Sequence, residues 1–172
     1  MKAKTTNFTP LSSFIRPKNI WTIKDNSSLT AETLRQTYAE KGIKIGETAN
    51  LFLEETPPTE KTYTIVLLEV SQLSKKEFVP YKEVCAIAQT MDLYPTSLRV
   101  PFLLREAFED QIQGEWFTVS ISSLEKDYTP YVNLWQENEI LHVGAGQCLC
   151  VKNFFKSNLI AFEAKTINLF EI

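Results

Sequence analysis

The chain has 172 residues, 44% of them hydrophobic and 23% charged, which is the length of one domain and a composition that excludes a disordered chain. Its formal net charge of −3 argues against nucleic acid as a partner, because that affinity rests on Lys and Arg displacing counterions from phosphates. The same balance suits a partner with a basic surface.

The first residues, Met1 to Asn7, carry positive charge with no apolar run behind it, so no signal peptide is expected. Residues 1–28 are rich in Thr, Ser, Asn, Pro and Lys, with Phe8, Phe14, Ile15, Ile20 and Trp21 interspersed. They read as an irregular arm packed onto a single α+β domain spanning 29–172. Thr30 suits the N-cap of a helix running to about Glu40, with Gly42 placed for a left-handed ending. A second short helix is expected from Gly46 to Leu53, stopped by Thr56-Pro57-Pro58. Thr62 to Val70 has the near-continuous apolar centre of a strand buried on both faces. Its Ile65-Val66-Leu67-Leu68 core is the longest apolar run and is far too short to cross a bilayer.

From Pro80 to Met91, apolar Val84, Ile87, Ala88 and Met91 recur at helical spacing, and Pro80 suits the first helical position. Thr96 to Val100 is expected to add one turn before Pro101. Glu115 to Ser122 alternates with period two, the mark of a half-buried strand. Tyr131–Trp135 and Ile140–Val143 flank Gln136 to Glu139 as a hairpin, and Leu159 to Ala164 forms a last strand. Helices come early and strands late, which predicts a mostly antiparallel sheet with the N-terminal and central helices on one face.

The chemistry-bearing residues are few. Gly144-Ala145-Gly146 lacks the following helix and third glycine of a dinucleotide loop and reads as a flexible loop. No glycine is followed by Lys-Ser or Lys-Thr, so a phosphate-cradling loop is absent. Cys148 and Cys150 are two apart, a spacing that sends strand side chains to opposite faces, so with Cys85 they read as ordinary thiols and no metal is expected. Three cysteines without a framework spacing fit a reducing compartment, and a cytoplasmic protein is the expectation. The single His142 lies in a hairpin strand and reads as structural or exposed. Glu106, Glu109 and Asp110 cluster near Arg99 and Arg105, a set that can run acid–base chemistry if burial separates the carboxyl pKa values. Trp116 reads as core, whereas Tyr94, Tyr128, Tyr131 and Trp135, together with Arg99, Arg105 and Glu106, are the candidate partner-binding residues.

One order of motifs is familiar. Gly42 to Ala49 precedes a strand ending Val70-Ser71-Gln72-Leu73; then come Tyr81-Lys82-Glu83-Val84, Leu93-Tyr94-Pro95, Leu98, and Gly114-Glu115-Trp116 opening a strand. This order resembles a family of small bacterial proteins of unknown function that are often labelled helicases. The resemblance covers roughly residues 42 to 165 and implies a bacterial origin and a shared fold, with no established activity. The chain departs from the family pattern at Leu73-Ser74-Lys75, where Leu-Gly-Phe is usual, and at Tyr94, where cysteine is usual. The missing phosphate loop excludes helicase activity.

These readings combine into three expectations. The first is a non-enzymatic domain without a cofactor that binds and occludes another protein, in the manner of an antitoxin or immunity protein. The second is an enzyme or small-ligand domain, acting on a nucleotide or sugar through Glu106, Glu109, Asp110, Arg99 and Arg105. The third is a nucleic-acid-binding protein using Lys75, Lys76, Lys82, Lys152 and Lys156.

Overall fold

The computed structural model describes residues 19–122, 128–149 and 153–165. The chain enters through strand β1 (Ile20–Lys24), which pairs antiparallel with β3 (Thr62–Glu69). The C-terminal part of the expected irregular arm is therefore a sheet strand. Between them lie helix α1 (Ala31–Glu40), the short strand β2 (Lys44–Ile45) and helix α2 (Glu47–Glu54). The Thr30 hydroxyl accepts from the Thr33 N–H at 3.1 Å, as a capping residue does. Leu34 and Tyr38, one helical turn apart, turn inward, and Gly42 (φ +68°) supplies the left-handed residue after the last turn.

After β3 come α3 (Val70–Leu73), β4 (Phe78–Pro80), α4 (Tyr81–Gln89), β5 (Leu93–Tyr94) and α5 (Val100–Ala107). Helix α5 goes beyond expectation. Pro101, read from sequence as a stop, sits in the first turn, where its missing N–H costs no helical hydrogen bond. Then follow β6 (Trp116–Val119), β7 (Tyr128–Glu137), β8 (Ile140–Leu149), β9 (Asn153–Phe155) and β10 (Leu159–Ala164).

The main sheet runs β1-β3-β10-β6-β7-β8-β2, with β5 also pairing β10; β4 and β9 form a separate two-stranded ribbon. The sheet is mixed rather than mostly antiparallel, because β10 lies parallel to β6 and β2 lies parallel to β8. The helices also flank both faces. Tyr63, Ile65 and Leu67 of β3 pack in one core with α1, α2 and α5, while Val66 and Leu68 pack in another with α4. The physical reason is legible in β3: consecutive apolar residues point to opposite faces, so both faces need cover. Strand β6 follows the same rule, with Phe117, Thr118 and Val119 all buried, as is Ser120 just beyond it. Tyr81 and Ser120 share a 2.8 Å hydrogen bond that ties the start of α4 to this region.

The β7–β8 hairpin is longer and tighter than its sequence suggests. Its turn is two residues, Asn138 (φ 51°) and Glu139 (φ 63°), the twist-matched geometry of a two-residue hairpin loop. Gly144-Ala145-Gly146, expected as a flexible loop, belongs to β8.

Candidate functional site

Directly opposed residues in a sheet share a face. The register places Trp116 of β6 opposite Trp135 of β7, Trp135 opposite His142 of β8, and His142 opposite Lys44 of β2. One row of side chains therefore crosses four strands. The Trp116 and Trp135 rings stack at 4.7 Å and 16°, and Trp135 and His142 stack at 4.8 Å and 7°. Trp116 is 53% exposed, and Trp135 and His142 are half-buried. A second row holds Thr118, Asn133 and Gly144, and a third holds Tyr131 and Gly146. Thr118 donates to Asn133 Oδ1 at 2.8 Å, which ties β6 to β7 beside the rings.

Glycine is what lets the rings lie flat. A Cβ on Gly144 would meet the Trp135 ring at 2.9 Å, and one on Gly146 would meet the Tyr131 hydroxyl at 2.6 Å. This face is continuous with the one covered by α4, since Ile160 of that core pairs with Thr118. Helix α4 packs over β3 and β10, whereas on β6 the aromatic row ends in the exposed Trp116. Burial, reinforced by the Lys44 ammonium, lowers the His142 pKa, so the imidazole stays neutral against the indole.

The sequence-predicted acid–arginine set does not converge. Arg99 is 2% exposed and bound inside to Asp25, with Nη2 to Oδ1 at 3.1 Å. It also donates to the Thr56 carbonyl at 3.2 Å and to the Leu29 carbonyl. Arg105 is fully buried, donating to Gln111 Oε1 at 2.5 Å and to the Phe108 carbonyl, while its Nε has no hydrogen-bond partner among the described residues. Burial lowers the Arg105 pKa to about 10, which keeps it charged at neutral pH. Glu106 and Glu109 both reach Lys41, at 3.1 and 2.6 Å. Neither arginine presents its guanidinium to a surface partner. Lys41 holds the Glu109 carboxyl below the usual range, the reverse of what a general acid requires.

Two of these acids do share a groove. Glu109, Asp110 and Glu115 line a half-open cavity of about 510 Å³ whose apolar lining includes Trp21, Leu67, Phe108 and Ile112. Among the other candidates, Tyr94 is half-buried with Lys165 Nζ 4.1 Å from its ring centre, and Tyr131 covers Gly146 beside the open aromatic face. The Tyr128 side chain lies outside the described residues, as do those of Cys148 and Cys150. Burial pushes the Cys85 thiol pKa up beside Tyr81 and Ser120, so this cysteine is not an activated nucleophile. Of the candidate nucleic-acid lysines, Lys76 pairs with Glu83 at 2.7 Å and Lys156 with Glu77 at 2.8 Å, while Lys152 lies outside the described residues. Among the described residues, no group of three or more potential ligands gathers around a metal position, and no helix is long and apolar enough to cross a membrane.

Sequence reasoning missed Trp116 as a surface residue, and of the groove it named Glu109 and Asp110 without the apolar walls beside them. Trp116 and Phe117 are both aromatic, so period-two alternation does not say which of the pair faces water. Comparison with known proteins finds no family model, no curated protein and no solved structure that matches the chain.

Proposed function

We propose that this chain is a non-enzymatic domain that occludes a protein partner, in the manner of an antitoxin or immunity protein, and binds it through the open face of β6, β7 and β8. The observation that carries the reading is the Trp116–Trp135–His142 row, three flat rings held in stacked register with Trp116 exposed and the other two half-buried. Tryptophan is enriched among residues that dominate interface energies, and rings already immobilised lose little entropy on binding. Thr118 and Asn133 form a polar row beside the rings, the mixture of apolar anchor and polar neighbour typical of interfaces. The alternative of catalysis by the acid–arginine set has less support, because both guanidinium groups are interior.

The test is capture of partners from the native host by the tagged chain, identification of what is retained, and sizing of the reconstituted complex. The expected result is one stoichiometric protein, bound at least about tenfold more weakly by Trp116→Ala, the ~1.4 kcal/mol or more that a central tryptophan contributes. Because Trp116 is exposed, its thermal midpoint should stay near that of the parent. Failure to retain a protein, or equal retention by Trp116→Ala, overturns the proposal.

A further inference from the structure

The groove beside α5 has a composition that the open aromatic face does not explain. At about 510 Å³ it falls within the ~300–1,000 Å³ range of ligand sites. Trp21 and Phe108 contribute to its wall with rings 4.8 Å apart and tilted by 53°. Ile112 stands at the groove 67% exposed, a large apolar side chain left in water. Three carboxylates, Glu109, Asp110 and Glu115, line the same space. Lys41 compensates Glu109, whereas Asp110 and Glu115 have no ion-pair partner among the described residues.

We propose that this groove receives an arginine-bearing segment of the protein partner, the guanidinium held by Asp110 and Glu115 and its alkyl stem laid on Trp21, Phe108 and Ile112. The inference rests on the protein-binding reading above and names the chemistry of the partner surface. The match is one of shape and charge together. A basic side chain carries an apolar stem under a cationic head, which is the arrangement the groove presents in complement. Arginine suits it better than lysine, because a planar guanidinium both stacks on aromatic faces and bridges carboxylates. A neutral apolar ligand would leave the uncompensated acids without a counter-charge, and an anion would be repelled by them.

The experiment uses the ¹⁵N-labelled full chain and a synthetic probe, the capped pentapeptide Gly-Arg-Leu-Arg-Gly. Its control is the same peptide with both arginines replaced by citrulline, which keeps the shape and removes the charge. The expected result is saturable shifts at the Trp21 indole and the 108–115 amides, at least tenfold weaker for the citrulline peptide and for the Asp110→Asn/Glu115→Gln chain. Both substitutions are near-isosteric, and an unaltered spectrum elsewhere verifies that the variant is folded. Absent or non-saturating shifts, equal binding of the citrulline peptide, or shifts confined to the Trp116 face would each overturn the assignment. The peptide reports without the native partner, so the two proposals fail separately. Loss of peptide binding with partner capture intact removes the groove and leaves the aromatic face. Peptide binding without partner capture removes the face and leaves the groove.

Discussion

Asp25 sits at the centre of a buried polar knot joining three segments, the β1–α1 and α2–β3 connections and the start of α5. Its Oδ2 accepts from the Thr59 N–H at 2.8 Å and the Thr59 hydroxyl at 2.9 Å, and its Oδ1 accepts from Arg99 at 3.1 Å. Arg99 in turn donates to carbonyls ahead of α1 and behind α2. Removing one partner of such a pair leaves a buried charge uncompensated, so Asp25→Asn is expected to cost about 3–5 kcal/mol in urea unfolding. Burial pushes the Asp25 carboxyl pKa up, but hydrogen bonds from Arg99 and Thr59 outweigh it and hold the group below its ordinary value. The folded state therefore releases this proton more readily than the unfolded chain. The stabilisation is complete above about pH 4 and is lost as pH falls through the lower folded value. Urea midpoints at pH 5 and pH 3 should fall further in the parent than in Asp25→Asn. His142 provides a second pH-dependent effect. Its folded pKa is depressed, so its contribution is present above about pH 6.5 and is lost as pH falls below that. An imidazole proton titration should give a midpoint below that value, and the Trp135→Ala variant should move it by opening the ring to water. At this scale the sequence supplied charges without partners. Asp25 and Arg99 are 74 positions apart, and no local pattern links them.

Among the elements, β8 shows how a glycine pair can be structural. Gly144 does not take a left-handed φ, so its constraint is the Trp135 ring beside it, not the backbone. Gly144→Ala is expected to lift Trp135 out of its stack at a cost of about 1–3 kcal/mol, with loss of the Trp116–Trp135 exciton signal in circular dichroism. An unchanged signal would show that the rings do not depend on this contact. The sequence reading of Gly144-Ala145-Gly146 as a loop failed because glycine weakens a strand on its own and is rescued only by a cross-strand ring. That ring is contributed by β7, across the hairpin. Helix α5 was lost for a related reason. Pro101 stops a helix in its interior and suits one in its first turn, and the segment's local pattern does not say which of the two applies. By contrast α1 was legible almost to the residue, since its cap, apolar spacing and terminal glycine are all local signals.

At the scale of the whole molecule, two cores lie on opposite sides of one sheet. Ile65 belongs to the first and Phe162 to the second, and β10 pairs with β3 residue by residue, Phe162 opposite Val66. Sharing strands couples the cores. Ile65→Ala and Phe162→Ala are expected to cost about 2–5 kcal/mol each. Each should leave a single transition in which near- and far-ultraviolet signals coincide. Two separated transitions would mean that the layers fold independently.

Composition and local pattern determined that the chain is α+β, where α1, α2, α4, β3 and β10 lie, and that a phosphate loop is absent. Each follows from signals within a few residues: caps, apolar spacing, turn chemistry. Tertiary structure alone decided the parallel pairs β10–β6 and β2–β8, the burial of Arg99 and Arg105, and the outward face of Trp116. Those depend on which strands become neighbours and which face a helix covers, and such choices are made between residues far apart in the chain.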